Sequence, residues 1–170
     1  YGGGYENFIL RGFLLSPVSY RNGIRIPISR IELANVAQVE VLKGPAAVLY
    51  GQADPGGLIN VVTKSPTASP EYALEQRIGS ENYYRTEASA SGPVTDDGSL
   101  RYRLDLSYLN GETFREASDN ERVFIAPAFS WQATPDTLVN LSLQHANDSL
   151  VYDSGTPAAG DEVADLPIER

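Results

Sequence analysis

The sequence predicts an α+β segment followed by a run of antiparallel β-strands, and three observations carry this. Residues 39–64, VEVLKGPAAVLYGQADPGGLINVVTK, string strand, turn, short helix, turn and strand signals together without filler. A polar, proline-containing stretch at 65–70, SPTASP, coincides with a reversal of charge. Beyond it the chain alternates apolar and polar residues with the period of a strand.

Within 39–64 each signal has a physical cause. Val39, Val41 and Leu42 make a β-branched and aliphatic run that Gly44 and Pro45 stop. Pro45 suits the first position of a helix, where its missing N–H has no bond to lose and its φ is already helical. Residues 46–50 are long enough for about one helical turn, which Gly51 is placed to end in the left-handed conformation. Pro55, Gly56 and Gly57 form a second turn, followed by a branched, apolar strand over 58–63. A phosphate-binding loop is excluded on spacing, because it needs Lys-Ser/Thr directly after its last Gly. Here Lys43 precedes Gly44, and no Gly-Lys-Ser/Thr occurs.

The net charge of −9 is unevenly spread. Residues 1–69 hold six basic side chains (Arg11, Arg21, Arg25, Arg30, Lys43, Lys64) against four acidic ones (Glu6, Glu32, Glu40, Asp54), or +2, which leaves −11 for the rest. Such an acidic second half argues against a nucleic-acid partner, which requires neutralised phosphates. The absence of Cys excludes disulfides, thiolate metal sites and Cys nucleophiles. No apolar run approaches the roughly 20 residues of a spanning helix, so any membrane insertion is by strands.

Five strands follow the linker. Tyr102, Leu104, Leu106 and Tyr108 leave one face, and Arg101, Arg103, Asp105 and Ser107 the other. Val123, Ile125, Pro127, Phe129 and Trp131 alternate with Phe124, Ala126, Ala128 and Ser130; Val139, Leu141 and Leu143 alternate with Asn140, Ser142 and Gln144. Less regular strands over 72–78 and 83–91 precede these. The connections at 79–82 and 133–136 are short, 92–100 is a polar Asp-Asp-Gly turn and 111–121 is a longer charged loop. A transmembrane barrel has this pattern. So does an antiparallel sandwich in water, the simpler reading on periodicity alone. Pro127 is awkward at a central ladder position, since it removes a donor.

Residues 39–64 resemble the plug domain of TonB-dependent outer-membrane receptors of the ferric-siderophore branch, whose hallmarks run VEVLKGP, LYG, PGG and NVVTK in that order. YENFILRGF at 5–13 is similar to the family's Arg-Gly-Phe motif, and Tyr20 to Gly23 sits where the family usually has an Asp-Gly or Asn-Gly turn. RIGSENYYRTEASASGPV and IAPAFSWQ are similar to its barrel segments. The resemblance reverses the preference for a soluble sheet. It implies the C-terminal portion of a plug over 1–69, a mixed sheet with short helices, then about five strands over 70–170 of a transmembrane β-barrel of about 22 strands. Turns 92–100 and 133–136 would face the periplasm; the loops at 79–82, 111–121 and beyond 146 would face outward. Trp131, Tyr102 and Tyr108 suit the interfacial girdles. The chain opens at Tyr1 without a secretory leader or the box that this family offers to TonB, so a segment of a longer receptor is expected.

In function, the resemblance implies a receptor in the outer membrane of a Gram-negative bacterium that binds a ferric siderophore and imports it with TonB. Its partners would be the siderophore, TonB and outer-membrane lipid, with no nucleic acid. Iron would be carried by the siderophore, with no cofactor bound directly. Receptors for cobalamin, a nickel chelate or a glycan share the fold and stay open, as does a non-transporting β-rich binding module. Leu14, Leu15, Ser16, Tyr20, Arg25, Ser29 and Arg30 fall in apical plug loops and are the candidate ligand contacts. Arg25 and Arg30 offer forked donors to an anionic chelate; alternatively they pair with Glu75, Glu87 or Asp105 on the barrel. Gly12, Gly44, Pro45, Tyr50, Gly51, Pro55, Gly56, Gly57 and Asn60 are expected to shape the plug, while Arg11, Glu40 and Lys43 are expected to seat it by ion pairs.

No enzyme chemistry is expected. His145 is the only histidine and, without Cys or Met, has no partners for a transition-metal site. A Ser-His-Asp site would need that same His145, and no Gly-x-Ser-x-Gly elbow occurs. Asp96 with Asp97, Asp161 with Glu162, and the acidic stretch from Asp148 to Glu169 read as solvated loops.

Overall fold

The computed structural model describes residues 8–15, 18–27, 30–44, 55–112, 120–150, 158–159 and 162–163. Among the described residues the regular structure is all strand, so the short helices expected of an α+β segment are not found there. The helical turn expected over 46–50, with Pro45 and Gly51 at its ends, lies outside the described residues.

The N-terminal part opens with two hairpins. In the first, β1 (Ile9–Leu10) and β2 (Phe13–Leu14) are joined through Arg11 and Gly12 at φ 55° and 82°. In the second, β3 (Val18–Arg21) and β4 (Ile24–Pro27) are joined through Asn22 and Gly23 at φ 49° and 81°. Positive φ at both central residues matches the twist of the flanking strands, which is why an x-Gly pair stands at each turn. β5 (Val36–Lys43) and β6 (Gly57–Thr63) complete a mixed sheet of order β4-β3-β6-β5, in which β3 runs parallel to β6. Tyr20 and Leu58 form its core with Leu42 packed against them.

The C-terminal part is a second, antiparallel sheet. It contains β7 (Glu71–Ile78), β8 (Tyr84–Pro93), β9 (Leu100–Gly111), β10 (Asn120–Thr134), β11 (Thr137–Ser142) and β12 (His145–Leu150), each paired with its neighbour and β12 paired with β10. A two-residue pair, β13 (Ala158–Ala159) with β14 (Glu162–Val163), follows.

β11 and β12 continue one register along β10: Ala128 faces Ser142 and Ile125 faces His145, with no residue gained or lost between. Pro127 lies opposite that interruption. Its carbonyl accepts the Leu143 N–H at 3.0 Å, so its missing donor also points at Leu143 and Gln144. The proline breaks the ladder locally without ending the strand. The acidic stretch expected as a loop therefore starts later than its first residue, because Asp148 belongs to β12 and faces Arg122.

The burial of this second sheet is inverted relative to a sheet in water. Ser91, Arg103, Asp105, Ser107 and Arg122 are buried on the face toward the N-terminal part, with Asp105 only 2% exposed. The opposite face exposes Tyr72, Leu74, Ile78, Phe129, Trp131 and Leu141, with Leu74 at 77%. A sandwich in water buries its apolar face. Here polar side chains line the inside and apolar ones the outside, as in a barrel wall in lipid.

Candidate functional site

The two sheets meet through residues 30–35, the segment between β4 and β5. Its shape is set locally. Glu32 accepts the Ala34 N–H at 3.1 Å, the Leu33 carbonyl accepts the Val36 N–H at 3.0 Å, and Lys64 Nζ donates to the Ala34 carbonyl at 2.7 Å. Ala34 then packs on Phe124 and Ala126 of β10. The Glu32 carboxylate enters the inner face between two wall arginines. It accepts a hydrogen bond from Arg85 Nη2, and its second oxygen lies 3.2 Å from Arg122 Nε.

These contacts belong to a longer chain of charges. Arg85 Nε donates to Glu87 at 2.6 Å, and Glu87 also lies 3.5 Å from Arg77, whose Nε donates to Glu75 at 2.6 Å. On the other side Arg122 lies 3.4 Å from Asp148, and Asp148 lies 3.7 Å from Arg30. Arg30 also donates to Asn120 at 3.4 Å. Burial of Glu32 opposes ionisation, but the hydrogen bonds from Arg85 and Ala34 and the charges of Arg85 and Arg122 outweigh it. Its carboxyl is held below the usual carboxylate range. A cavity of about 350 Å³ adjoins the cluster, lined by Arg30, Glu32, Arg77, Tyr83, Arg85 and Arg122 among others.

The sequence-derived candidates divide into three groups. Arg30 reaches the wall, on Asp148 and Asn120. The carboxylates named as alternative partners are engaged by the wall's own arginines: Asp105 by both guanidinium arms of Arg103 at 2.7 and 2.9 Å, Glu75 by Arg77, and Glu87 by Arg85. Arg25 lies exposed on β4, Leu14 is exposed, and Leu15 and Tyr20 are buried; Ser16 and Ser29 lie outside the described residues.

A second group shapes the N-terminal sheet. Asn60 is buried; its Oδ1 accepts the Gly23 N–H at 3.0 Å and its Nδ2 donates to Glu40 at 2.8 Å. Asn22 is tied to Thr63 through the Thr63 N–H at 3.0 Å. The NVVTK strand thus holds the Asn-Gly turn with Asn60 and Thr63 and holds residues 30–35 with Lys64. Gly44 donates to the Gly56 carbonyl at 3.2 Å, and Gly56 and Gly57 are buried beside Pro55 in the turn. Gly56 lies against the β1–β2 hairpin, where a Cβ would sit 2.4 Å from the Leu10 carbonyl oxygen. Tyr50 and Gly51, like Pro45, are outside the described residues.

The third group is Arg11, Glu40 and Lys43. Glu40 bonds Gln38 and Asn60 within its own sheet. Arg11 sits near Gly44, with its Nη1 3.7 Å from where a Gly44 Cβ would lie. Glu32 and Arg30 form ion pairs that cross between the sheets. Glu32 was not singled out from sequence. Its one signal is an acid alone among Ile31, Leu33 and Ala34.

Glu40→Ala is accordingly expected to loosen the N-terminal sheet, because Asn60 Nδ2 loses its acceptor in a buried place, at about 1–3 kcal/mol. Hydrogen exchange of the Gly23 amide reports it directly; unchanged protection there would contradict the Asn60–Glu40 link.

Residues 1–58 match the family model described as TonB-dependent Receptor Plug Domain. The chain belongs to the TonB-dependent receptors. It is 39% identical over 137 residues to the metal-pseudopaline receptor CntO of Pseudomonas aeruginosa, covering 81% of this chain and 19% of that one. It is 32% identical over 146 residues to the ferrichrome outer membrane transporter/phage receptor of Escherichia coli, again covering 81% and 19%. Among solved structures, the ferric-catecholate import receptor Fiu of E. coli superposes with a TM-score of 0.81 at 27% identity, over 92% of this chain and 24% of that one. The chain thus spans about a fifth of the length of these relatives. Membership places it in the Gram-negative outer membrane.

Proposed function

We propose that this chain is the plug portion, residues 1–69, and the first wall strands, residues 70–170, of a receptor with about 22 strands that imports a ferric siderophore in a TonB-dependent manner. The observation that carries this reading is the Glu32 contact: a plug carboxylate held between two wall arginines inside a sheet whose outer face is apolar. Such a plug is held by polar contacts that water can replace, which suits a gate that opens and reseats. The turn at 79–82 between β7 and β8 then faces outward, toward the ligand.

The names of the relatives support a chelate as cargo, since ferrichrome and ferric catecholate are named for two of them. A chelate of another metal is the second reading, favoured by the metal-pseudopaline receptor at 39% identity. Binding and uptake by the full-length receptor, measured across a panel of ferric siderophores and the same chelators loaded with nickel, cobalt or zinc, separates the two. Failure with every ferric chelate would overturn the iron assignment.

The lipid contact has its own test. Leu74 lies mid-strand on the outer face, so Leu74→Arg is expected to destabilise the folded receptor by about 2–4 kcal/mol near the bilayer midplane. Chemical unfolding in vesicles measures it; a neutral effect would place this face against protein or water.

A further inference from the structure

Arg85 and Arg122 stand in one row across three strands, each directly opposite Leu109 of β9, so both project from the same face with one aliphatic residue between them. Strand spacing sets their backbones about 10 Å apart. That gap is spanned by a single carboxylate, the one Glu32 supplies. Arg77 extends the row on the far side, directly opposite Arg85, and Asp148 closes it opposite Arg122. The neighbouring row sets Glu75 directly opposite Glu87. Like charges in direct cross-strand register oppose the pairing, and here they are compensated along the strands, Glu75 by Arg77 and Glu87 by Arg85. The wall alone therefore has three basic and three acidic groups around this point, and no wall carboxylate lies between Arg85 and Arg122 among the described residues. Arg122 is 3% exposed; it meets Glu32 as an ion pair, and neither its Nε nor its Nη1 has a hydrogen-bond partner. A cavity of about 350 Å³ is lined by Arg85, Arg122 and Glu32 among others, so a small group has room beside Glu32 before Glu32 leaves.

We propose that Arg85 and Arg122 form a carboxylate-binding site of the wall, occupied by Glu32 while the plug is seated and taken over by a carboxylate of an anionic metal chelate when residues 30–35 withdraw. The hand-over rests on the transport reading above; the site itself does not. Guanidinium forks match a planar carboxylate in a way that a lysine ammonium cannot, and the substitution of one carboxylate for another leaves neither arginine unpaired during the exchange. The cargo's entry would thus favour release of the plug segment at the same atoms.

The site is tested by chemical rescue in the full-length receptor. Glu32→Ala is expected to lose hydrogen-exchange protection over residues 30–36, and added acetate or formate is expected to restore most of it. Chloride at equal ionic strength should not restore it, and Glu32→Ala combined with Arg122→Gln should not respond to acetate. Absence of acetate rescue, or equal rescue by chloride, overturns the site. Phosphate forms a further arm: rescue as strong as acetate's would overturn the planar carboxylate assignment in favour of any oxyanion.

The hand-over is tested with Arg122→Lys, which keeps the charge and removes the fork. Uptake of a carboxylate-bearing ferric chelate is expected to fall several-fold more than uptake of an uncharged one. Equal losses would confine the site to plug seating. Failure of the unmodified receptor to import either chelate would remove both the transport reading and the hand-over, while the acetate experiment still decides the site.

Discussion

Replacing Glu32 by Ala is expected to unseat the plug. The carboxylate sits between Arg85 and Arg122, whose side chains are 12% and 3% exposed, and its removal leaves two guanidinium groups facing each other without their shared counter-ion. Loss of one partner from a buried ion pair costs about 3–5 kcal/mol. The low end, about 3 kcal/mol, is expected here because the adjoining cavity lets water reach Arg85. At a tenfold change per roughly 1.4 kcal/mol, the ratio of seated to displaced plug falls by about two orders of magnitude. Glu32→Gln should fall between, since the amide oxygen still accepts from Arg85 while the charge is gone. Amide exchange over residues 30–36 and single-channel conductance in planar bilayers both read the displaced population. Unchanged exchange and conductance in Glu32→Ala would show that seating rests elsewhere.

The same contact sets a pH dependence with a definite sign. The Glu32 carboxyl is held below its unfolded value, so the folded state binds this proton less readily. Its contribution is fully present above the unfolded value, near pH 4.3, and is lost as pH falls through the depressed one. Seating should therefore be flat from neutral pH down to about 4.3 and weaken only below it. Glu32→Gln should abolish that acid limb.

Much of the architecture was legible because it follows from backbone chemistry. The Asn22-Gly23 and Arg11-Gly12 pairs announce their turns, since positive φ at successive residues restricts what can stand there. β9, β10 and β11 announce themselves by alternation, while β7 and β8 alternate less cleanly. What alternation leaves open is which face is inside, because the period is the same in water and in lipid. Burial of Asp105 and exposure of Leu74 decide that only once the sheet is seen. The contact of Glu32 with the second sheet was harder to read. Arg11, Glu40 and Lys43 stand in the motifs, and motif residues draw attention, yet Glu40 turns to Asn60 inside its own sheet. Glu32 lies in a segment without regular structure, and its partners Arg85 and Arg122 are distant in sequence. No local pattern encodes a contact across such a separation. Asp148 was obscured differently: polar neighbours hid the strand that carries it, and Pro127 on the partner strand interrupts the ladder just before it.

Gly57→Ala is expected to disrupt the plug sheet where β6 begins, and more than Gly12→Ala does. Both glycines have positive φ, 130° and 82°, so an L side chain is strained at either. The surroundings differ. At Gly12 a Cβ would meet nothing within 4 Å, which leaves conformational strain alone, about 1–2 kcal/mol. At Gly57 it would lie 2.0 Å from the Leu42 carbonyl oxygen and 2.8 Å from Leu10 Cδ2. The oxygen belongs to the backbone of β5, paired at this point with β6, so no rotamer change relieves the contact. Either Gly57 leaves its register with Lys43 or β5 moves away, and Leu42 carries part of the packing around Tyr20 and Leu58 with it. Strain of about 1–3 kcal/mol and overpacking of about 1–3 kcal/mol then act together. The loss should appear first as exchange of the amides pairing β5 with β6, while the wall strands keep their protection. Equal effects at Gly12 and Gly57 would mean that φ alone governs this turn; a larger effect at Gly57 means that the second glycine of Pro-Gly-Gly is required by the approach of β5 as well as by the bend.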